Sequence, residues 1–431
     1  MKSAIERLVT SALTSRRVRA GQRGVRASLR RLLGARPNVD YFHQVDDPYS
    51  HLAVQVLPLL RAHHKIDVTP HLVSPPPEAA APERDRLAAY AIKDARRLAA
   101  AHGLLFPIGA RRPRDATVAS VTAALADTAD VELFAARAVE LGNAMWQGEE
   151  VSLPAFAATE GVTAKGDALR EQLGHYLGAT FHFEGEWYWG IDRLPYLESR
   201  LRAFKREASG NPIVRTFEAG SRPDADTRRA PLDMFLSFRS PYTYLAIARA
   251  HKLAARFNAD LRLRFVLPMV MRGLPVPKPK RLYIVRDAKR EAERHGLPFG
   301  RIVDPVGAGV ERGLALLHFA IKYGRGCELA ESFLQGAFAD GLDAATDEGL
   351  GAIAKRASFT PGEIMEALAD TAWRQVAEAN RAELFSLGLW GVPSFRVAGM
   401  DPHWGQDRLW AVEEDLALAA SAAGQANMGV L

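Results

Sequence analysis

Apolar and polar residues alternate from Leu232 to Phe238, with Leu232, Met234, Leu236 and Phe238 on one side, and then the period changes. From Tyr244 through Leu245, Ile247, Ala248 and Leu253 the apolar positions recur at helical spacing. The pattern predicts a buried strand over 232–238, a corner at Ser240-Pro241, and a helix over 241–257. Proline suits the first helical turn, because its missing N–H would have no partner there. Ser240 therefore sits at a strand-to-helix corner, where backbone N–H groups and partial positive charge face outward. Such a corner suits a thiolate. It suits a plain serine N-cap equally well.

The same order occurs earlier in the chain. A strand is predicted over Val39–Gln44, a corner at Asp46-Asp47-Pro48-Tyr49, helical spacing over Leu52–Leu60, and a strand over Lys65–Val73. Pro75, Pro76 and Pro77 end that strand, and a long Ala- and Arg-rich helix covers 82–102. Helical patterning continues to about residue 176, with breaks at Gly142, Gly148, Pro154 and Gly161. Short strands follow at Thr180–Glu184 and Glu186–Trp189, then a helix from Asp192 to about Ala208. Residues 209–230 have no period and read as a linker. After the second corner come a strand at Leu261–Val266, a Pro-rich loop, a charged helix over 281–295, a helical stretch to about 388, short strands near Pro393–Val397, and a last helix from Asp407.

The two passes align at one offset. Pro48 and Pro241, Tyr49 and Tyr242, Leu52 and Leu245, Tyr90 and Tyr283, Asp94 and Asp287, His102 and His295 all differ by 193. Near the ends the offset is 215, where Trp189, Gly190, Asp192, Arg193 and Leu194 answer Trp404, Gly405, Asp407, Arg408 and Leu409. This points to a duplication. Each copy reads strand–helix–strand, a helical insert, then a strand pair and a helix. The expected fold is α/β: two thioredoxin-like domains, each with a large all-helical insertion. The expected division is a basic arm at 1–37, a first domain at 38–208, the linker at 209–230, and a second domain at 231–431.

Composition changes this picture in two places. Of 431 residues only Cys327 is a cysteine, so neither an intramolecular disulfide nor a C-x-x-C redox pair is available. A reduced, cytoplasmic setting is expected, and no apolar run is long enough for a transmembrane helix. The net charge of +6 is uneven: residues 1–37 carry Lys2 and nine arginines against Glu6, which is +9 and leaves −3 for the rest. The basic character belongs to the arm, so no nucleic-acid groove is expected. The arm has no apolar core of a secretory signal and reads as a structural or surface-binding element, with a targeting or membrane-surface role as the alternative.

Several separated motifs occur in a set order: Ser240-Pro241-Tyr242; Lys280, Tyr283, Asp287 and Arg290; His295-Gly296-Leu297-Pro298-Phe299; Gly391-Val392-Pro393-Ser394-Phe395; and His403-Trp404-Gly405-Gln406-Asp407-Arg408-Leu409. Over about residues 231–415 the chain resembles the 2-hydroxychromene-2-carboxylate isomerase family, which is related to kappa-class glutathione transferases and DsbA-type thioredoxin folds. The resemblance implies glutathione as cofactor. It implies that Ser240, where a thioredoxin-like oxidoreductase has C-P-x-C, hydrogen-bonds the glutathione sulfur. It implies a cis peptide at Pro393 with the Val392 backbone turned toward an extended peptide. It implies that Asp407, beside Gln406, receives the γ-glutamyl amine, and that Lys280 pairs with the glycyl carboxylate. One departure is Gly273-Leu274, where the family often has Gly-Asn before that lysine.

The resemblance implies a glutathione-dependent isomerase acting on a small aromatic substrate, with kappa-type transfer or peroxide reduction as a sibling reading. A non-catalytic binding or assembly module is the reading from another class. The related families are often dimeric, so an internal pseudo-dimer or a homodimer is expected. In the first half, Asp47 stands at the serine position and Thr180 is matched to the cis-proline. A carboxylate there would repel a thiolate, so the first copy is expected to be kept for packing. A new site from Asp46, Asp47 and His51 is the alternative. Gly307, Gly309 and Gly313 miss the dinucleotide fingerprint, and His63, His64 and His71 lack metal-ligand spacing.

Overall fold

The computed structural model describes residues 2–126, 128, 130–151, 161–205 and 211–428. They form two compact units. The first holds residues 20–216 and 277–283; the second holds residues 1–19, 217–276 and 284–431.

The first unit is built on strands β1 (Asn38–His43), β2 (Asp67–Leu72), β3 (Thr180–Phe183) and β4 (Glu186–Trp189), in the order β2-β1-β3-β4. β1 and β2 are parallel, so a helical crossover must join them, and the helices Pro48–Val54 and Leu57–His64 supply it. β1 and β3 are antiparallel with Phe42 opposite Thr180. β3 turns into β4 through Glu184 and Gly185, both at positive φ, the geometry of a two-residue hairpin turn. The insert between β2 and β3 is helical over Arg84–His102, Asp115–Leu125, Val131–Gln147 and Ala164–Gln172. Tyr41, Phe42, Phe181 and Tyr188 are fully buried at the sheet.

The second unit repeats the plan with β5 (Pro231–Leu236), β6 (Asp260–Phe265), β7 (Ser394–Val397) and β8 (His403–Trp404), in the order β6-β5-β7-β8. The helix Pro241–Arg256 makes the crossover between parallel β5 and β6, and six helices between 278 and 386 form the insert. The core runs from β5 across the crossover helix into the insert. At its centre Phe238 stacks on Phe333 with ring centroids 4.0 Å apart. Gly313 permits that approach, since a Cβ there would lie 2.3 Å from the Phe333 ring.

The two frames are equivalent residue by residue. β1 and β5, and β2 and β6, begin 193 residues apart; β3 and β7 begin 214 apart. On the central strand of each sheet one acid is held by bases from both neighbours. Asp233 accepts from Arg264 of β6 at 2.9 Å and from Arg396 of β7 at 2.8 Å. Asp40, its counterpart, meets His71 of β2 at 3.0 Å and His182 of β3 at 3.6 Å. Each unit also ties its crossover helix to its insert by one tyrosine. Tyr49 donates to Asp94 and Tyr242 to Asp287, each at 2.9 Å.

Both thioredoxin-like units and their helical insertions are as expected from the sequence. Details differ. Gly142 lies inside the helix Val131–Gln147 and does not break it; a Cβ there would be 2.5 Å from Nδ1 of His51, so its role is room for that ring. The helix does stop at Gly148, at positive φ. Asp407 lies in a short turn, Gln406–Arg408, and the last helix begins at Leu409. Pro154, the helix end at Ala208 and the first linker residues 209 and 210 lie outside the described residues. Residues 217–230 are held within the second unit: the buried Glu413 accepts from the Gly220 N–H at 2.9 Å and from Arg256 at 2.8 Å.

The loop entering β7 is set by packing against β8. Gly391 lies under the Trp404 indole, and a Cβ at 391 would fall 2.1 Å from it. The backbone of Gly391 is not in the left-handed region, so the cost of a side chain there is steric alone. Gly391→Ala is expected to destabilise the second unit by roughly 1–3 kcal/mol, as overpacking does. Chemical denaturation of the variant measures this; an unchanged midpoint would show that Trp404 can swing aside freely.

Candidate functional site

Ser240 ends β5's connection and caps the helix Pro241–Arg256. Its backbone is extended, with φ −95° and ψ 112°, and its Oγ accepts from the Thr243 N–H at 3.2 Å. The same hydroxyl donates to the carbonyl oxygen of Val392 at 3.3 Å. The Val392–Pro393 peptide is cis. So the second unit brings together Ser240, Val392 and Pro393, three of the residues singled out from the sequence. Ser240 and Val392 are half-buried and Pro393 is buried.

Thr243 was not singled out. It is fully buried and its hydroxyl has no hydrogen-bond partner. It stands three residues after Ser240, where C-P-x-C has its second cysteine, and that spacing is the signal in the sequence. An unpaired buried hydroxyl is costly, by about 1–3 kcal/mol. At this corner it is a second donor beneath the first.

On the other side of Trp404, Gln406 is buried and donates to Glu291 at 2.8 Å and to Asp407, while Arg249 donates to the Gln406 carbonyl oxygen. Burial lowers the Arg249 pKa, opposed by Glu218, Asp407 and Glu291. Asp407 itself is half-buried. Residues 277–283 belong to the first unit, and there the Lys280 Nζ donates to the Ala80 carbonyl oxygen at 2.8 Å. Burial brings its pKa down to about 8. Cys327, in the helix Gly326–Gln335, is half-buried, and its thiol is pushed up to about 12 by burial and by Glu328 and Glu331. It is a poor nucleophile.

The first unit's corner is closed. Asp47 caps the helix Pro48–Val54, accepting from Tyr49 and Ser50 N–H groups at 3.2 Å. Ser50, the counterpart of Thr243, donates to Asp47 at 2.9 Å and accepts from Gln44 N–H at 3.2 Å and Ala179 N–H at 2.9 Å. The strand register corrects one expectation. Thr180 pairs with Phe42 as Ser394 pairs with Phe235, so Ala179, not Thr180, occupies the proline position. Ala179 supplies an N–H that Pro393 lacks, and Ser50 takes it. Burial pushes the Asp47 carboxyl up to about 7.

Behind this corner Tyr41, His43 and His51 replace the Met234, Leu236 and Tyr244 of the second unit. Tyr41 donates to the Ser50 carbonyl at 2.9 Å and meets His43 Nδ1 at 3.1 Å; His51 meets Asn143 at 3.1 Å. Burial lowers the pKa of His43 to about 3 and that of His51 to about 4. His175, tilted against Trp187 with centroids 4.4 Å apart, is likewise lowered to about 3 by burial.

Among the described residues no group of three or more His, Cys, Asp or Glu could hold a metal ion. Residues 231–417 match the family model of the DSBA-like thioredoxin domain. The comparison with curated proteins found no match. Among solved structures, a 2-hydroxychromene-2-carboxylate isomerase is 19% identical with a TM-score of 0.38, covering 46% of this chain and 98% of that one. The cytosolic disulfide reductase DsbM from Pseudomonas aeruginosa is 17% identical with a TM-score of 0.34, covering 46% and 99%. Oxidoreductase DsbA from Xylella fastidiosa is 13% identical with a TM-score of 0.30, covering 48% and 91%. Similarity of this degree concerns the fold alone. The chain thus contains a DsbA-like thioredoxin domain, and its one cysteine excludes a dithiol cycle within it.

The buried histidines fix a pH response. Each has a folded pKa below the ordinary 6.5, so the unfolded chain binds protons that the folded one refuses. Their stabilisation is present above about pH 6.5 and is lost as pH falls toward 4. Asp47 works the other way, losing stabilisation as pH rises from about 4 to 7, but one acid opposes three histidines. First-unit stability should fall by up to about 3 kcal/mol per pH unit near pH 5. His43→Leu should reduce that slope by about 1.4 kcal/mol per unit. Urea midpoints at pH 5 and 7 test this, and an unaltered slope in the variant would remove His43 from the explanation.

Proposed function

We propose that the second unit is a glutathione-dependent isomerase of the 2-hydroxychromene-2-carboxylate type, acting on a small aromatic substrate. The observation that carries the reading is the Ser240 hydroxyl, held on a helix N-terminus beside the Val392 carbonyl where a dithiol enzyme of this fold needs a cysteine. A donor set of one half-buried hydroxyl and helix amides, with no carboxylate at the corner position, fits an anionic sulfur. Glutathione, when bound, supplies a sulfur that adds to an unsaturated carbonyl system and leaves again after bond rotation, with no net redox change. Ser240 then turns its O–H from the Val392 carbonyl to that sulfur and keeps it ionised. The released Val392 carbonyl accepts from the peptide backbone. Asp407, oriented by Gln406, takes the ammonium group. The role of Lys280 toward the glycyl carboxylate rests on the resemblance alone.

The wider organisation is read with it. The matched registers, the paired Tyr–Asp bonds and the acid on each central strand support a tandem duplication into an arm (1–37), a first copy (38–208), a linker (209–230) and a second copy (231–431). The closed corner at Asp47 supports a first copy kept for packing.

Titration of reduced glutathione, followed by tryptophan fluorescence and by thiolate absorbance, tests the site. Saturable binding below millimolar concentration is expected, with the bound thiol more acidic than the free one. Ser240→Ala should raise that thiol pKa by about one unit, equivalent to roughly 1.4 kcal/mol. It should lower isomerase turnover at least tenfold. Peroxide reduction or conjugation without isomerisation would favour the kappa-type reading, and no binding at millimolar glutathione would leave a binding module.

A further inference from the structure

The two arm helices sit against the protein by their polar sides and leave their apolar sides in solvent. In the helix Lys2–Leu13, Ser3 donates to Asp343 at 2.6 Å, Arg7 to the Gly341 carbonyl at 3.1 Å, and Thr10 accepts from the Ile302 N–H at 3.0 Å. Thr14, one turn on, is buried against Gly300. Residues 3, 7, 10 and 14 are one helical face. Ala4, Ile5, Leu8, Val9 and Ala12 form another, and all five are exposed, Leu8 to 74%.

The helix Arg16–Leu32 does the same. Within the first unit, Arg23 pairs with Glu186 at 2.6 Å, Arg30 with Glu184 at 2.8 Å, and Arg26 donates to the Glu184 carbonyl. Val25, Leu29 and Leu32 share the face turned outward and are exposed to 70%, 54% and 84%. Arg17 and Arg31 flank that face and are exposed. A helix packed on a globular body ordinarily buries its apolar stripe. Here two consecutive helices invert that rule. Burying arginine against acid while exposing leucine is unfavourable in water unless something else covers the leucines.

We infer that the outward face of each of these helices, taken by itself, binds an anionic lipid surface, with the apolar residues entering the headgroup boundary and the flanking arginines meeting lipid phosphates. The charge selects this occupant. Arg16, Arg19, Arg23 and Arg30 are neutralised by acids of the body, whereas Arg17 and Arg31 border the outward face, so a second copy of the same face would be repelled, while an anionic surface attracts it. No described helix is long and apolar enough to cross a membrane, so the attachment lies in the interface plane.

Co-sedimentation of the full chain with phosphatidylcholine vesicles containing about 30 mol% phosphatidylglycerol tests the inference. Binding is expected at low salt, weakened by salt and absent on pure phosphatidylcholine. The double variant Leu8→Glu/Leu29→Glu should bind at least tenfold more weakly, and Arg17→Glu/Arg31→Glu should weaken binding at low salt and reduce its salt dependence. Both variants change exposed positions, and an unaltered melting temperature would establish that the fold is intact. Absence of binding to the anionic vesicles overturns the inference, as does unchanged binding by the leucine variant. Sedimentation equilibrium supplies the remaining arm: a dimer that Leu29→Glu dissociates, with no vesicle binding, would assign the face to a second copy. Glutathione binding is read separately and is independent of either result.

Discussion

In the second unit one hydroxyl joins two backbone groups that are far apart in sequence. Ser240 accepts from Thr243 in its own helix and donates to Val392, 152 residues away. For that contact to form, β5 must lie beside β7, and the whole helical insert must close behind it. The position of the corner is therefore a consequence of the core, not of the loop. Phe238, two residues before Ser240, is stacked into the insert on Phe333, and Tyr242, two residues after, is tied to Asp287. The corner is clamped on both flanks, which fixes where the residue between them sits and leaves its O–H free to turn about the Cβ–Oγ bond.

The first unit shows what the same frame does when the corner changes. An acid at 47 cannot share a notch with another anion, and its own burial favours the protonated form. Ser50 fills the space by bonding to Asp47, Gln44 and Ala179 together. In the second unit the matching hydroxyl, Thr243, has none of these partners: Ser240 replaces the acid and Pro393 has no N–H to give. Two exchanges, Asp47 for Ser240 and Ala179 for Pro393, thus separate an inner hydroxyl that the protein satisfies from one that it does not. The buried Tyr41, His43 and His51 follow from the same closure, since polar side chains near a filled corner can bond to one another, whereas Met234, Leu236 and Tyr244 pack as core.

Much of this frame was legible in the sequence. The strand pattern at 39–44, the alternation at 232–238, the proline after each corner, and the 193-residue offset together determine two strand–helix–strand starts; their strands lie within two residues of the predicted places, while the first crossover, expected over 52–60, is two helices, Pro48–Val54 and Leu57–His64. The short strand β8 has only two residues, too few to show a period. Thr180 was matched to the proline because the hairpins differ in length, and only hydrogen-bond register shows that Ala179 is the true partner. Gly142 read as a helix breaker because a sequence does not reveal the His51 ring beside it. Thr243 was passed over because its meaning depends on which partners are absent, and absence is a property of three-dimensional neighbours. The acid on each central strand was missed for a related reason: Asp233 is flanked by Leu232 and Met234 in an otherwise apolar strand, and the arginines that neutralise it come from two other strands.

The chemistry then follows from what the corner lacks. A thioredoxin-like frame concentrates helix-terminal amides at one point, and that field stabilises negative charge whatever atom carries it. With cysteine at that point the protein would own the sulfur and would be committed to redox cycling with a second thiol. With serine there, and with Cys327 half-buried in the insert at a pKa raised to about 12, no thiolate of the chain occupies the field. A hydroxyl on a helix N-terminus has too high a pKa to ionise in its place, so in the proposed reaction it serves as a donor to a charge brought from outside. On that proposal the fold keeps its electrostatics while the reactive atom becomes exchangeable, and a reaction in which the sulfur adds and then departs is the kind such an arrangement can complete without an oxidant.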